Sequence, residues 1–242
     1  MRWLLARRLV ALAVFSLCGC EDAGRARIEV LLEGAGTGDV TLSGGEAALT
    51  LTRADVSFGP IYFCASEGAA AELCGAALLE HTETETLEAL SSAPESLGKL
   101  RGITGSVRSA LYDYGISWLA TSQSPEPNAG SAQRHSAVLE GVIESAGQRV
   151  EFLAEIDVPP RSRGTLAMNG QPARHELTEH TKRLRVVANP VRWFERVDLD
   201  ALLASAGEGD GPLTIAPGSQ AYEAIVLGMQ NRAPLEFSWF DE

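Results

Sequence analysis

Histidine is the side chain best suited to hold a metal ion or to move a proton near neutral pH, and the chain has four histidines. His175 and His180 lie five residues apart, a spacing that puts the two rings on different faces of a helix. We therefore expect a solvated surface loop there rather than a metal site. His135 opens a predicted strand directly after a long loop, and loops at the rim of a β-domain often bind ligands. His135 is our candidate ligand-binding histidine.

Aromatic side chains offer a second binding chemistry, because an exposed ring can stack on a sugar or a peptide. Tyr62 lies in an apolar stretch where its ring can be exposed. Tyr112 and Tyr114 are alternate neighbours, so on a strand they share one face. Core packing is the default interpretation of these three tyrosines, and we keep them as candidate ligand-binding residues. The other large aromatics of the apolar runs are predicted to lie in the core: Trp118, Trp193, Phe194, Trp239 and Phe240.

Carboxylates supply the hard oxygen ligands that Ca²⁺ prefers, and two short segments carry them. Asp198 and Asp200 form one segment, and Glu208 and Asp210 form the other. Neither matches the D-x-D-x-D-G loop of a calcium site. Helix capping by Asp198 is the simpler interpretation, so calcium stays an open possibility.

Sequence motifs of the common enzyme classes are absent. The chain downstream of the N-terminal segment has no G-x-S-x-G, P-loop, G-x-G-x-x-G, H-E-x-x-H or C-x-x-C,. We therefore expect a non-catalytic protein. A hydrolase whose triad is assembled from distant residues, and a purely structural protein, remain the alternatives.

The N-terminal segment has the pattern of a secretory signal. Three arginines in residues 1–8 precede an apolar run over residues 9–17, and acidic residues follow at 21 and 22,. The apolar run is shorter than the roughly 20 residues that a membrane-spanning helix needs. We therefore predict that residues 1–19 are a signal peptide.

The end of that run, Leu17-Cys18-Gly19-Cys20, resembles the lipobox of bacterial lipoproteins. The resemblance implies cleavage before Cys20 and a diacylglycerol and an acyl chain on Cys20, which anchor the chain in a lipid bilayer. Residues 20–27 would form a tether. Glu21 is not the aspartate that favours retention in the inner membrane, so the outer membrane of a Gram-negative bacterium is the expected location. The protein would face the periplasm or the cell exterior.

Two further cysteines, Cys64 and Cys74, fit export. In an exported chain such a pair most often forms one disulfide, which for so short a loop adds roughly 3 kcal/mol of stability in the chain-entropy model. A metal thiolate site would need two more ligands, and His81 is the nearest candidate. We predict the disulfide.

Composition sets limits on fold and partners. The formal net charge is −12, with 20 basic and 32 acidic residues, and 45% of residues are hydrophobic. That balance is typical of a globular domain and argues against nucleic-acid binding, which needs clustered lysine and arginine. Without residues 1–19 the net charge would be −15, so an anionic membrane surface would repel the body of the protein.

The secondary-structure elements that would position these side chains are mostly short strands with turns between them. Alternating apolar residues predict strands over 27–32, 40–42, 47–51, 51–64, 99–113, 114–120, 135–144, 149–158, 183–188 and 235–240, with a break in the long strand at Gly59-Pro60,. A helical or irregular insertion is predicted over 69–93, where Thr82 and Glu85 match a capping box. Short helices are predicted from Asp198 and over 219–228, and residues 122–133 are predicted to be a surface loop. The fold class is mainly β, a single antiparallel β-sandwich over 28–242 with one or two short peripheral helices.

The order of these segments resembles the β-sandwich of periplasmic metal-binding proteins of the methanobactin-associated kind, the MbnP-like domain. The similar segments are VSFGPIYF, YGISWLA, HSAVLEG with VEFLAEIDV, VVANPVRWFERVD and the closing N-R-x-P-L-E-F. The resemblance implies a sandwich fold and raises copper as a cofactor, but the copper ligands of that family do not map onto particular residues here. We therefore expect a lipid-anchored envelope protein that binds a small ligand, a metal ion or an envelope protein without catalysis.

Overall fold

The strands assemble into two large sheets and a small ribbon in the computed structural model, which describes residues 24–44, 46–67, 77–206 and 211–241. The larger sheet has eight strands, in the order β13 (Met168–Leu177), β8 (Gly105–Tyr112), β4 (Ile61–Cys64), β5 (Leu79–His81), β7 (Glu95–Ile103), β1 (Arg27–Gly36), β14 (Thr181–Ala188) and β16 (Glu236–Asp241). The smaller sheet runs β15 (Leu213–Thr214), β12 (Gln148–Ile156), β11 (Ala137–Ser145), β3 (Ala47–Phe58) and β2 (Thr41–Gly44), and β6 (Glu85–Glu88) also pairs with β3. The ribbon pairs β9 (Ile116–Ser117) with β10 (Glu126–Pro127). This arrangement confirms the predicted mainly β, sandwich-like fold.

The strand pairing is antiparallel except at two places. β1 pairs with β14 in parallel, and β12 pairs with β15 in parallel. The predicted hairpin is present as β11 and β12. The predicted break at Gly59-Pro60 is also present, and there the chain leaves β3 of the smaller sheet and enters β4 of the larger one. The turn at these two residues therefore ties the two sheets together.

The core lies between the sheets and is filled from both. Val30, Leu32, Leu49, Phe63 and Phe152 are at most 2% exposed and belong to a single apolar cluster. Alternate residues of β1 and β14 point into this cluster, which is why the alternating pattern predicted strands there,. Of the aromatics predicted to be core, Trp193 and Phe194 are buried, Trp239 packs against the cluster from a partly buried position, and Trp118 and Phe240 are partly exposed.

Short helices cover one side of the sheets. Residues Pro190–Phe194 form a 3-10 turn, α1 spans Leu199–Ala204, α2 spans Gln220–Leu227, and a π-helical turn continues over Gly228–Arg232. Asp198 and Ser219 cap the two α-helices as predicted. Gly228 does not stop α2 through a left-handed conformation, because its φ is −58°; it is needed there since a Cβ would lie 2.6 Å from Trp193 Cα. In the described ranges, neither helix has the length and apolar character that crossing a membrane requires.

Three sequence predictions of local structure are wrong. The described part of the predicted helical insertion, residues 77–93, holds β5 and β6 and no helix. The predicted strand over 99–113 is two strands, β7 and β8, which pair with different neighbours. The turn-rich stretch before residue 183 contains β13, so His175 is part of a strand and not of a surface loop.

Candidate metal centre

Three metal-ligating side chains converge where the chain passes from the larger sheet to the smaller. His81 is the last residue of β5, Glu85 is the first residue of β6, and Glu83 lies in the loop between them. One ligand atom of each lies within 4.8 Å of the others. His81 is buried, Glu85 is partly buried and Glu83 is exposed, so the cluster opens toward solvent on one side.

Both ring nitrogens of His81 face oxygen acceptors. Its Nδ1 lies 3.1 Å from the carbonyl oxygen of Lys99, which only accepts,. Its Nε2 lies 3.1 Å from Glu85 Oε1, also an acceptor. A neutral ring has one N–H, so it can donate to only one of these two acceptors, and its other nitrogen then presents a lone pair to an oxygen. With Nδ1 donating to Lys99, a metal ion held by Nε2 and the Glu85 carboxylate would satisfy both contacts.

The loop that carries Glu83 is held by neighbouring backbone. Gly59, with φ +107°, lies so close that a Cβ on it would be 2.2 Å from the carbonyl oxygen of Glu83. Thr84 Oγ1 donates to the carbonyl of Gly59 at 3.0 Å and accepts from Asn128 Nδ2 at 3.0 Å. The backbone of this loop is therefore held against Gly59 and Asn128, which fixes the point from which the exposed Glu83 side chain extends,.

His81 and Glu83 line an open cavity of about 490 Å³ on the outer face of the larger sheet. Lys99 and Arg101 also line it, and both pair with Glu29. The hydrogen bond from Lys99 lowers the pKa of the Glu29 carboxyl. Glu29 thus offsets one of these two positive charges.

The sequence carried a signal for this cluster that our interpretation missed. His81, Glu83 and Glu85 alternate with threonines, and in an extended chain residues spaced by two lie on one face,. We instead took Thr82 and Glu85 as a helix capping box. His81 was considered only as a ligand beside Cys64 and Cys74, whereas its partners are glutamates.

The three candidate tyrosines differ in burial. Tyr112 and Tyr114 are 0% exposed, so the prediction of a ligand-binding face is wrong for this pair. Their rings pack edge to face, and the hydroxyl of Tyr114 donates to the buried carbonyl of Met229. Tyr62 alternates with buried Ile61 and Phe63 on β4 and is partly exposed. Burial, with some repulsion from nearby carboxylates, raises the pKa of the Tyr62 hydroxyl.

His135 lies two residues before β11, at the rim position that the sequence predicted. Its Nδ1 lies 2.9 Å from Asp157 Oδ1, and its Nε2 lies 3.7 Å from Glu155 Oε2. Both nitrogens thus face carboxylates. The structure does not bring His135 together with Tyr62, Tyr112 or Tyr114 in one hydrogen-bonded group.

The other histidines have different surroundings. His175 stacks on Trp239 with 4.8 Å between ring centroids, and its Nε2 lies 3.2 Å from Thr181 Oγ1. His180 is exposed in a turn. In the described ranges, no histidine ring forms a hydrogen bond with a serine hydroxyl. These contacts therefore do not supply the serine–histidine pair that a hydrolase would need.

A buried carboxylate that the sequence did not single out lies beside this region. Asp113 is 1% exposed. Its Oδ1 accepts from the backbone N–H of Ala167 at 2.7 Å, and its Oδ2 accepts from Ser117 Oγ at 2.7 Å. Burial raises the pKa of Asp113 to about 6, and these two hydrogen bonds only partly offset it.

Several predicted sites fall outside the described residues. These are the signal peptide, Cys20, Cys74, Glu208 and Asp210. Cys64 is buried at the end of β4, and the pairing of Cys64 with Cys74 stays a prediction. Asp198 accepts a hydrogen bond from the N–H of Ala201 as a helix cap, as its simpler interpretation required.

Comparisons with known proteins give one distant likeness. No family model matches the sequence, and no curated protein matches it. The chain is similar in structure to MbnP from Methylosinus trichosporium, with a TM-score of 0.37 and 10% sequence identity, over 89% of this chain and 99% of that one. The likeness agrees with the faint resemblance in the sequence. It is too distant to carry an argument about function.

Proposed function

We propose that this protein is a non-catalytic binding protein of the cell envelope that holds a divalent metal ion at His81, Glu83 and Glu85. One observation carries the proposal. Nδ1 of His81 lies 3.1 Å from the carbonyl oxygen of Lys99, and Nε2 lies 3.1 Å from a carboxylate oxygen of the same three-residue cluster, whose ligand atoms lie within 4.8 Å of one another. Metal-binding histidines are commonly oriented in this way, through a hydrogen bond from the other ring nitrogen.

The ligand types indicate which metal ions fit. One imidazole and two carboxylates suit Zn²⁺ and Mn²⁺, and an open side leaves room for water or a further ligand. Ca²⁺ prefers six to eight oxygen ligands, so this set does not favour it. Copper(II) binds nitrogen and oxygen ligands more tightly than other divalent metals of its row, so it belongs in the test.

The cellular setting is part of the same proposal and rests on the sequence. A lipid-modified Cys20 would hold the protein on the outer membrane, and the cluster would face the periplasm or the exterior. A disulfide between Cys64 and Cys74 would follow β4, which lies beside β5 in the larger sheet. The bridge would then stabilise the strand next to His81.

Calorimetric titration of chelator-treated protein with Zn²⁺, Mn²⁺, Cu²⁺ and Ca²⁺ tests the metal site. We expect one Zn²⁺ or Mn²⁺ per chain, and affinity weaker by about tenfold or more in both His81→Gln and Glu83→Gln. Glu83 is exposed, so its variant should fold even if replacement of the buried histidine disturbs the sheet. His180→Gln, in an exposed turn, is the matched control.

Two outcomes would contradict the metal site. Affinity that falls equally in His180→Gln would show diffuse attraction to an acidic surface. Failure of the unmodified protein to bind any of the four ions would refute the site.

A further inference from the structure

A second cavity adjoins the candidate metal centre and has a different character. Its volume is about 610 Å³, within the range of small-molecule sites,. It lies between the Gly59-Pro60 turn, the loop of Glu83 and the β9–β10 ribbon, and we call it the ribbon groove. Residues 122–133, which the sequence predicted to be a surface loop, supply one wall.

The floor of the ribbon groove is a closed hydrogen-bonded network. Asn128 Nδ2 donates to Thr84 Oγ1 and to Ser117 Oγ, each at 3.0 Å. Ser117 Oγ donates in turn to buried Asp113, and the backbone N–H of Asn128 donates to Gly115. These side-chain donors are thus used within the protein, and the floor is rigid.

The rim of the ribbon groove offers acceptors and negative charge. Glu83 and Glu126 both line it, and both are exposed. Among the described residues that line the groove, none is lysine, arginine or histidine. Glu126 forms no ion pair with the described part of the chain. A ligand that fits this rim carries hydrogen-bond donors and positive charge.

One wall of the ribbon groove is apolar. Leu119 is 63% exposed, one of two large hydrophobic side chains so exposed among the described residues. Pro60, Pro127 and Ala129 extend that wall. An apolar side chain kept in water beside two carboxylates is the complement of a ligand that has a hydrocarbon body and a cationic end.

We propose that the ribbon groove binds a small organic ammonium compound, with its hydrocarbon part on Leu119 and its ammonium group between Glu83 and Glu126. The proposal is independent of the metal site, except that both use Glu83. A metal ion that engages Glu83 would therefore weaken binding of the ammonium compound, and the reverse holds by the same factor.

Calorimetric titration of chelator-treated protein with n-butylammonium at 0.15 M salt tests this proposal, since that salt screens distant charges beyond about 8 Å. We expect one saturable site and much weaker binding of neutral 1-butanol. Glu126→Gln should weaken binding about threefold, as for the loss of one exposed charge pair. Leu119→Ser should weaken it by a similar factor of about three through lost apolar contact.

Two matched controls decide the outcome. Glu46→Gln removes the same charge at the turn before β3, at the opposite end of that strand from Gly59. Leu227→Ser removes the other exposed large hydrophobic side chain, which lies on α2. Both controls should bind as the unmodified protein does. Equal losses in the controls, equal binding of 1-butanol, or no saturable binding of n-butylammonium would overturn the ribbon groove as a site, whatever the metal titration shows.

Discussion

At the scale of single residues, Asp113 combines burial with few compensating contacts. Its carboxylate accepts two hydrogen bonds, from Ala167 and Ser117, and forms no ion pair in the part of the chain that the structure describes. Its backbone carbonyl also accepts from the N–H of Gly59 at 2.9 Å. Asp113 thus connects the turn between the two sheets with the floor of the ribbon groove, at the cost of placing a carboxyl group where charge is unfavourable.

The raised pKa of Asp113 gives the protein a defined dependence of stability on pH. Between about pH 4 and pH 6 the native state holds the Asp113 proton and the unfolded state releases it, so the free energy of unfolding falls as pH rises. The change is about 3 kcal/mol in total. Asp113→Asn keeps the shape and does not titrate, so relative to the unmodified protein it should gain stability over that pH interval.

Urea unfolding at pH 4, 5, 6 and 7 measures this difference. Asp39→Asn, in an exposed position, controls for the loss of one surface carboxylate. A difference between Asp113→Asn and the unmodified protein that stays constant across the four pH values would show that Asp113 titrates alike in both states.

At the scale of elements, β5 is the strand that positions His81, and it is only three residues long. It lies between β4 and β7, and Leu79 of β5 is paired with Gly102 of β7. A Cβ on Gly102 would lie 1.9 Å from the carbonyl oxygen of Leu78. The close approach of these two strands therefore depends on the missing side chain.

Gly102→Ala should push β5 away from β7. We expect a loss of about 1–3 kcal/mol in the free energy of unfolding, as for other overpacked sites, together with weaker Zn²⁺ binding because His81 moves with its strand. Urea unfolding and metal titration of the same variant measure both. Gly211→Ala, with open space around the new Cβ, is the control. Reduced stability with full metal affinity would show that β5 is not what holds His81 in place.

The strands that were predicted from sequence are those long enough to show a hydrophobic pattern. β11 and β12 each have nine residues and form the predicted hairpin; burial alternates along most of β12, whereas β11 is buried at six of its nine positions. β5 and β6 have three and four residues, too few to show a period,. β6 forms by pairing with β3, about 30 residues upstream. Such a long-range contact cannot be predicted from the local sequence pattern.

The same limit explains what could be predicted of the sites. Tyr112 and Tyr114 were correctly expected to share a face, but alternation alone does not say whether that face is the core or the solvent side. His135 was correctly placed at a rim, whereas the two carboxylates beside its ring come from β12 and the residue after it, about 20 residues away. The two glutamates of the proposed metal site follow His81 by two and four residues, and the mistaken helix prediction hid them.

At the scale of the whole molecule, the net charge would oppose contact with the membrane, whereas a lipid anchor would favour it. The mature chain would carry a net charge of −15, so electrostatics would drive it away from anionic lipid headgroups. Acyl chains anchor through the hydrophobic effect, which contributes about 0.8 kcal/mol of binding free energy for each buried CH₂. Two or three chains therefore give stable anchoring. A lipid anchor with an acidic body would thus keep the two cation-binding regions near the membrane and facing water.

Replacement of Cys20 tests this anchoring in a Gram-negative host that expresses the full chain. Cys20→Ala should abolish labelling by radioactive fatty acid and leave the uncleaved precursor, because cleavage at a lipobox follows modification of its cysteine. Cys18→Ala, two residues earlier in the same segment, should keep both the label and the cleavage.

The unmodified protein should stay with the membrane fraction in 1 M salt, since that concentration shortens electrostatic range to about 3 Å and leaves the hydrophobic anchor intact. Normal processing of Cys20→Ala, or release of the unmodified protein by salt alone, would mean that the chain reaches or holds its location without lipid.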